Sequence, residues 1–230
     1  MIRSRIVIEK ARRSARTSVP SSRSGAAVRS ARSAGVQRRG VERVQAILDA
    51  ASELLLDGYE AATLKAIAER TGIPVASIYH YFADRHQIDV ELIQRHVRAF
   101  DDRVKAALDA SPLETLPEAV ETVVDESVAY FRENPSLIQL WYVGRNSMSK
   151  TVRDFVRAYD ASRAEELAAF LLRRKLVRAD MPTRVVGVAC EAADRLFDTA
   201  FELSPQGDEG TIVETKRLVT AYLETYAART

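Results

Sequence analysis

The sequence predicts an all-α protein, a three-helix head followed by a larger helical bundle of about nine helices in total. Three observations carry that expectation. Alanine, leucine, glutamate and arginine dominate and recur at helical spacing, and strand-like alternation is hard to find. Nine glycines and seven prolines are few for 230 residues, and Pro112, Pro117, Pro135, Pro182 and Pro205 each fall at a helix start or junction. The 47% hydrophobic content suffices for a real core, yet no run approaches the roughly 18 apolar residues of a membrane span. Cys190 is the single cysteine, which excludes an internal disulfide and fits a reducing cytoplasm.

The chain divides into residues 1–40, 41–87 and 88–230. Residues 1–40 hold eleven Arg or Lys and one acid, Glu9, for a charge of +10, while the remaining 23 basic and 31 acidic residues give −8. With almost no large apolar residue after Ile8, this segment cannot offset its ordering entropy and is expected to be a disordered basic tail. A solvated tail or an early start codon is the plain reading. The others are an arm tracking phosphates or a minor groove, an organellar transit peptide, and a weak membrane contact through Ile6 and Ile8.

From Val41 to Leu56, apolar Val44, Ile47, Leu48, Ala51, Leu54 and Leu55 recur every three or four residues, and Asp57-Gly58 closes that amphipathic helix. Thr63 is placed to cap a second helix with Leu64, Ile67 and Ala68 on one face, and Thr71-Gly72 ends it. A third helix follows at once, with Pro74 in its first turn and Ile78 and Phe82 on its apolar side. Two short helices joined by so tight a turn form a helix-turn-helix, whose second helix can enter a DNA major groove. A long helix then runs from Ala83-Asp84 to Ser111-Pro112 with a stripe of Ile88, Leu92, Val97, Phe100, Val104 and Leu108. Five further helices are expected over 116–132, 135–145, 152–175, 183–203 and 211–228. The last two carry wide apolar faces, including Leu196, Phe197 and Phe201, then Val219, Tyr222 and Tyr226.

Across residues 43–93, Ile47-Leu48-Asp49-Ala50-Ala51, Leu54-Leu55, Gly58-Tyr59, Thr63–Gly72, Ile78-Tyr79-His80-Tyr81-Phe82 and Asp84-Arg85 fall in an order and spacing that resembles the TetR/AcrR family of bacterial transcriptional regulators. That resemblance implies a cytoplasmic, nucleoid-associated homodimer on a palindromic double-stranded operator, most simply a repressor released by a small effector in the C-terminal bundle. By the same resemblance, Thr63 and Tyr79 match positions that touch phosphates, Arg85 the usual basic residue at the start of the fourth helix, Ser77 one that contacts the backbone, and His80 one that reaches a base edge or phosphate. Pro74 and Val75 stand where the family often has hydrogen-bonding residues. Val75 is left to meet a thymine methyl, and readout shifts toward DNA shape or to Lys65, Ser77 and His80.

The resemblance also places a ligand cavity near Phe131, Trp141, Tyr142, Arg145, Phe155 and Tyr159, a mix that suits an apolar or anionic effector. It pairs the last two helices across a two-fold axis, with Leu196, Phe197, Phe201, Val219, Tyr222 and Tyr226 as interface candidates. No catalytic set, cofactor motif or phosphate loop is found. His80, His86 and His96 lack metal-ligand spacing. The rival readings are a constitutive DNA-binding protein without an effector, and an all-α carrier or enzyme.

Overall fold

The computed structural model describes residues 23–110, 112–141 and 150–228, with side chains from residue 37 onward except Thr151. Among these residues it contains nine α-helices and no strand. They are α1 (Arg23–Leu54), α2 (Leu64–Thr71), α3 (Val75–Tyr81), α4 (Arg85–Ala110), α5 (Leu116–Glu133), α6 (Pro135–Trp141), α7 (Lys150–Arg173), α8 (Arg184–Leu203) and α9 (Glu209–Glu224). Two compact units divide between Leu92 and Ile93. That division lies inside α4 rather than at 87/88, because an uninterrupted helix leaves no compositional mark where one unit gives way to the next.

α1 begins at Arg23, so residues 23–40 are helical where composition predicts a disordered tail. A helix nucleated on packed residues 44–54 grows backwards by adding one hydrogen bond per residue. No proline interrupts Arg23–Gly40, and its alanines, arginines and glutamine favour propagation. Burial of apolar surface, the criterion applied to the tail, does not decide the fate of a helix already anchored at one end. Residues 1–22 lie outside the described residues.

The first unit is centred on Ile47, Ala51, Leu55, Ile67, Ile78, Phe82 and Ile88, all almost completely buried. Two single-turn 3-10 segments, Leu55–Asp57 and Tyr59–Ala61, lead from α1 into α2, with Gly58 between them at a positive φ of 113°. Arg70 reaches back from α2 to Glu53 of α1 at 2.9 Å.

In the second unit α5 opens with a capping box, in which the Thr115 hydroxyl accepts from the Glu118 N–H and the Glu118 carboxylate accepts from the Thr115 N–H. The buried face of α5 carries Val120, Val124, Val128 and Phe131, and the Phe131 ring packs edge-on against Phe197 and Phe201 of α8. Lys216 of α9 pairs with Asp125 of α5 at 2.7 Å, and Arg103 of α4 with Glu126 and Glu133. After α7 the chain turns at Lys175, and Val177 forms an isolated bridge with Ala227 that ties down the end of the bundle. His96 of α4 is buried, its Nδ1 lying 3.0 Å from the Tyr130 hydroxyl.

Candidate functional site

Thr63 sits in extended backbone at the start of α2 and accepts a hydrogen bond from the Ala66 N–H at 3.1 Å. Lys65 follows on the exposed face, only loosely engaged with Glu69 at 3.8 Å. At the far end of α2, Gly72 adopts the left-handed conformation at φ 68°. The Thr71 hydroxyl locks that turn, donating to the Ile67 carbonyl at 2.7 Å and accepting from the Ile73 N–H at 3.2 Å. Pro74 then caps α3 through its carbonyl, which receives the Ser77 and Ile78 N–H groups at 2.8 and 3.1 Å.

Ile78 anchors α3 to the core and is fully buried. The opposite side of the helix presents Ala76, Tyr79 and His80 to solvent, with Tyr79 55% exposed. Positions three and four apart share a helical face, so these three make one patch. Val75 and Ser77 flank it half-buried. Ala76 was not among the residues singled out from the sequence, since a methyl side chain carries no visible chemistry. Its spacing to Tyr79 and His80 is the only signal that marks it.

Arg85 opens α4, where its motif places it. Its guanidinium turns inward, pairing with Asp89 at 2.7 Å, donating to the Ala62 carbonyl and lying 4.7 Å over the Tyr59 ring. Tyr59 completes the cluster by donating to Asp89 at 2.8 Å. Burial first, and Asp89 next, push the Tyr59 hydroxyl well above the usual phenol range, so it stays a donor. Arg85 therefore braces the head through the buried Asp89 and the Ala62 carbonyl.

In the second unit a cavity of about 90 Å³ lies among α4, α5, α7, α8 and α9. Its walls are mainly apolar, from Val120 and Val124 to Leu167, Phe170 and Leu171, and its polar members are Ser127, Arg163, Cys190 and Asp194. The Arg163 guanidinium stacks over Phe100 at 4.7 Å. Burial pulls its pKa down, but Tyr159, Cys190, Asp101 and Asp194 around it outweigh that and raise it, so Arg163 keeps its charge. Behind the wall, the Tyr159 hydroxyl donates to Asp101 at 2.7 Å, and Trp141 Nε1 donates to Asp194 at 3.3 Å. Burial raises the Tyr159, Asp101 and Cys190 pKa values.

Residues 47–91 match the family model described as bacterial regulatory proteins, tetR family, and residues 115–223 match the tetracyclin repressor-like C-terminal domain. A TetR-family transcriptional regulator from Streptomyces coelicolor, known from its crystal structure, is 31% identical over 80% of this chain and 99% of its own, with a TM-score of 0.63. The chain belongs to the TetR family. It is thus a TetR-family transcriptional regulator. The HTH-type transcriptional activator FasR of Mycolicibacterium smegmatis is 35% identical over 102 residues, covering 41% of this chain and 47% of FasR. The HTH-type transcriptional repressor KstR of Rhodococcus jostii is 36% identical over 76 residues, covering 33% of this chain and 36% of KstR. The chain thus spans less than half the length of the curated relatives it matches.

Within this TetR-family framework the expected ligand residues separate. Phe131 lines the cavity, Trp141 and Tyr159 hold the two carboxylates near Arg163, and the half-buried Phe155 is not part of the wall. Tyr142 and Arg145 lie outside the described residues. The cation in the described wall is Arg163, which the sequence marks only by sharing an α7 face with Leu167, Phe170 and Leu171. The interface candidates also divide. Phe197, Phe201 and Val219 are buried inside the unit, and Leu196, Tyr222 and Tyr226 are half-buried. The exposed apolar side chains of α8 and α9 are Val188, Leu203, Val213 and Leu218, because one apolar face is consumed by the unit's own core.

Proposed function

We propose that this TetR-family regulator is a cytoplasmic homodimeric repressor that leaves a palindromic operator when a small molecule fills the cavity of its second unit. The cavity carries this reading. A void forfeits packing energy, and a chain whose sole task was to hold DNA would gain by closing one with a cation in its wall. Ligand binding to the conformer less suited to the operator lowers DNA affinity by its differential binding free energy. The exposed face of α3 and the start of α2 supply the DNA contact, with Tyr79, Thr63 and Lys65 on phosphates and His80 on a base edge or phosphate. Ser77 supports the backbone contact, and Val75 with Ala76 meets thymine methyl groups. Pro74 adds no donor, so discrimination leans on DNA shape.

Footprinting on the DNA upstream of the protein's own gene is the test. Protection of a palindrome above that on random DNA, weakened by a ligand that raises thermal stability, is the expected result. Protection no better than on random DNA would sink operator recognition, and a stabilising ligand that tightens binding would sink the repressor mechanism.

A further inference from the structure

Arg163 is the one cationic side chain in the cavity wall, and among the described residues its guanidinium makes no hydrogen bond or ion pair. It carries five donors on the cavity wall. Asp101 and Asp194 are near enough to offset its charge, yet Tyr159 and Trp141 are their hydrogen-bond donors on the described side. The site therefore holds a cation whose charge is largely balanced and whose donors are unused. A ligand that brings an acceptor engages donors that no described protein group uses.

The cavity is also graded along its length. Arg163, Phe100, Cys190 and Asp194 cluster at one end. Leu171 lies eight residues beyond Arg163 on α7 and Leu108 eight beyond Phe100 on α4, so the wall runs on for roughly 12 Å as apolar surface. We infer that the cavity takes a slender apolar molecule with one oxygen-acceptor head, a carboxylate or an ester carbonyl, seated on Arg163. This inference rests on the proposed ligand response and specifies the ligand's chemistry. A protonated amine head and an all-hydrocarbon ligand both lack an acceptor and leave the donors unmet.

Thermal unfolding of the full chain with three probes sharing one body, decanoate, methyl decanoate and decylamine at sub-micellar concentration, tests it. Decanoate and the ester are expected to raise the midpoint by roughly 5–10 °C at about 100 times Kd, and decylamine much less. Arg163→Met should erase that preference, Arg163→Lys should retain part of it, and Ala189→Leu, which fills the wall, should abolish stabilisation by every probe. Equal or greater stabilisation by decylamine, or a preference for decanoate retained in a folded Arg163→Met, overturns the head-group assignment and leaves the cavity as a ligand site. Should no probe stabilise the wild-type chain, the assignment falls together with the ligand reading of the cavity.

Discussion

Replacing Asp89 with alanine removes the acceptor of both Arg85 and Tyr59 and strands a largely enclosed guanidinium. The Arg85 and Asp89 side chains are 18% and 3% exposed, so solvent screens the pair little. A loss of roughly 3 kcal/mol is expected, within the range for breaking a buried pair, read as a lower denaturant midpoint at unchanged slope. A midpoint equal to wild type would show the cluster to be dispensable. His96 makes a second residue-scale prediction. Burial, with a smaller contribution from Arg95, lowers its pKa to about 4. A folded-state value below the unfolded one means that the unfolded chain takes up the proton first. The stabilisation is therefore complete above about pH 6.5 and is lost as pH falls towards 4, by an order of 3 kcal/mol in all. Unfolding midpoints followed from pH 7 to 4 should fall more steeply for wild type than for His96→Gln.

The helix-turn-helix depends on two local devices that were legible in the chain, the Thr63 cap and the Gly72 stop. Gly72 has open space around a would-be Cβ, so Gly72→Ala meets no neighbour and tests backbone conformation alone. It should cost about 1–2 kcal/mol from the left-handed geometry, and a neutral result would mean that the turn adopts another conformation. On the exposed face, Tyr79→Phe and His80→Ala are expected to leave the unfolding midpoint unchanged while weakening operator binding. Lys65→Ala should reduce the salt slope of binding by about 1 if Lys65 meets a phosphate. Motif reading located this surface because exposure on a short helix follows directly from its spacing. It could not show the inward turn of Arg85, which only the three-dimensional approach of Tyr59, Ala62 and Asp89 produces.

For the whole molecule, the two sets of apolar residues on α8 and α9 predict opposite behaviours. Phe201 packs against Phe131 in the core, so Phe201→Ala should destabilise the fold by roughly 3–5 kcal/mol. Leu203 and Leu218 are 66% and 47% exposed, so the double change to glutamate should leave the fold intact and give monomers in sedimentation if these residues meet a second copy. A dimer that survives the double change places the interface elsewhere. Periodicity alone could not separate the two sets, since a helix with a wide apolar surface has the same pattern whichever side faces its own core.

Helix count, the order of the elements and the helix-turn-helix were determined by the sequence itself, because spacing, caps and stops act over a few residues and leave their mark there. The tertiary structure decided that Arg85 braces the head and Arg163 enters the cavity, that Phe197, Phe201 and Val219 serve the core, and that α1 continues back to Arg23. Such outcomes depend on which helices approach one another and how much of each face they leave to water, and that competition is settled between residues far apart in the chain.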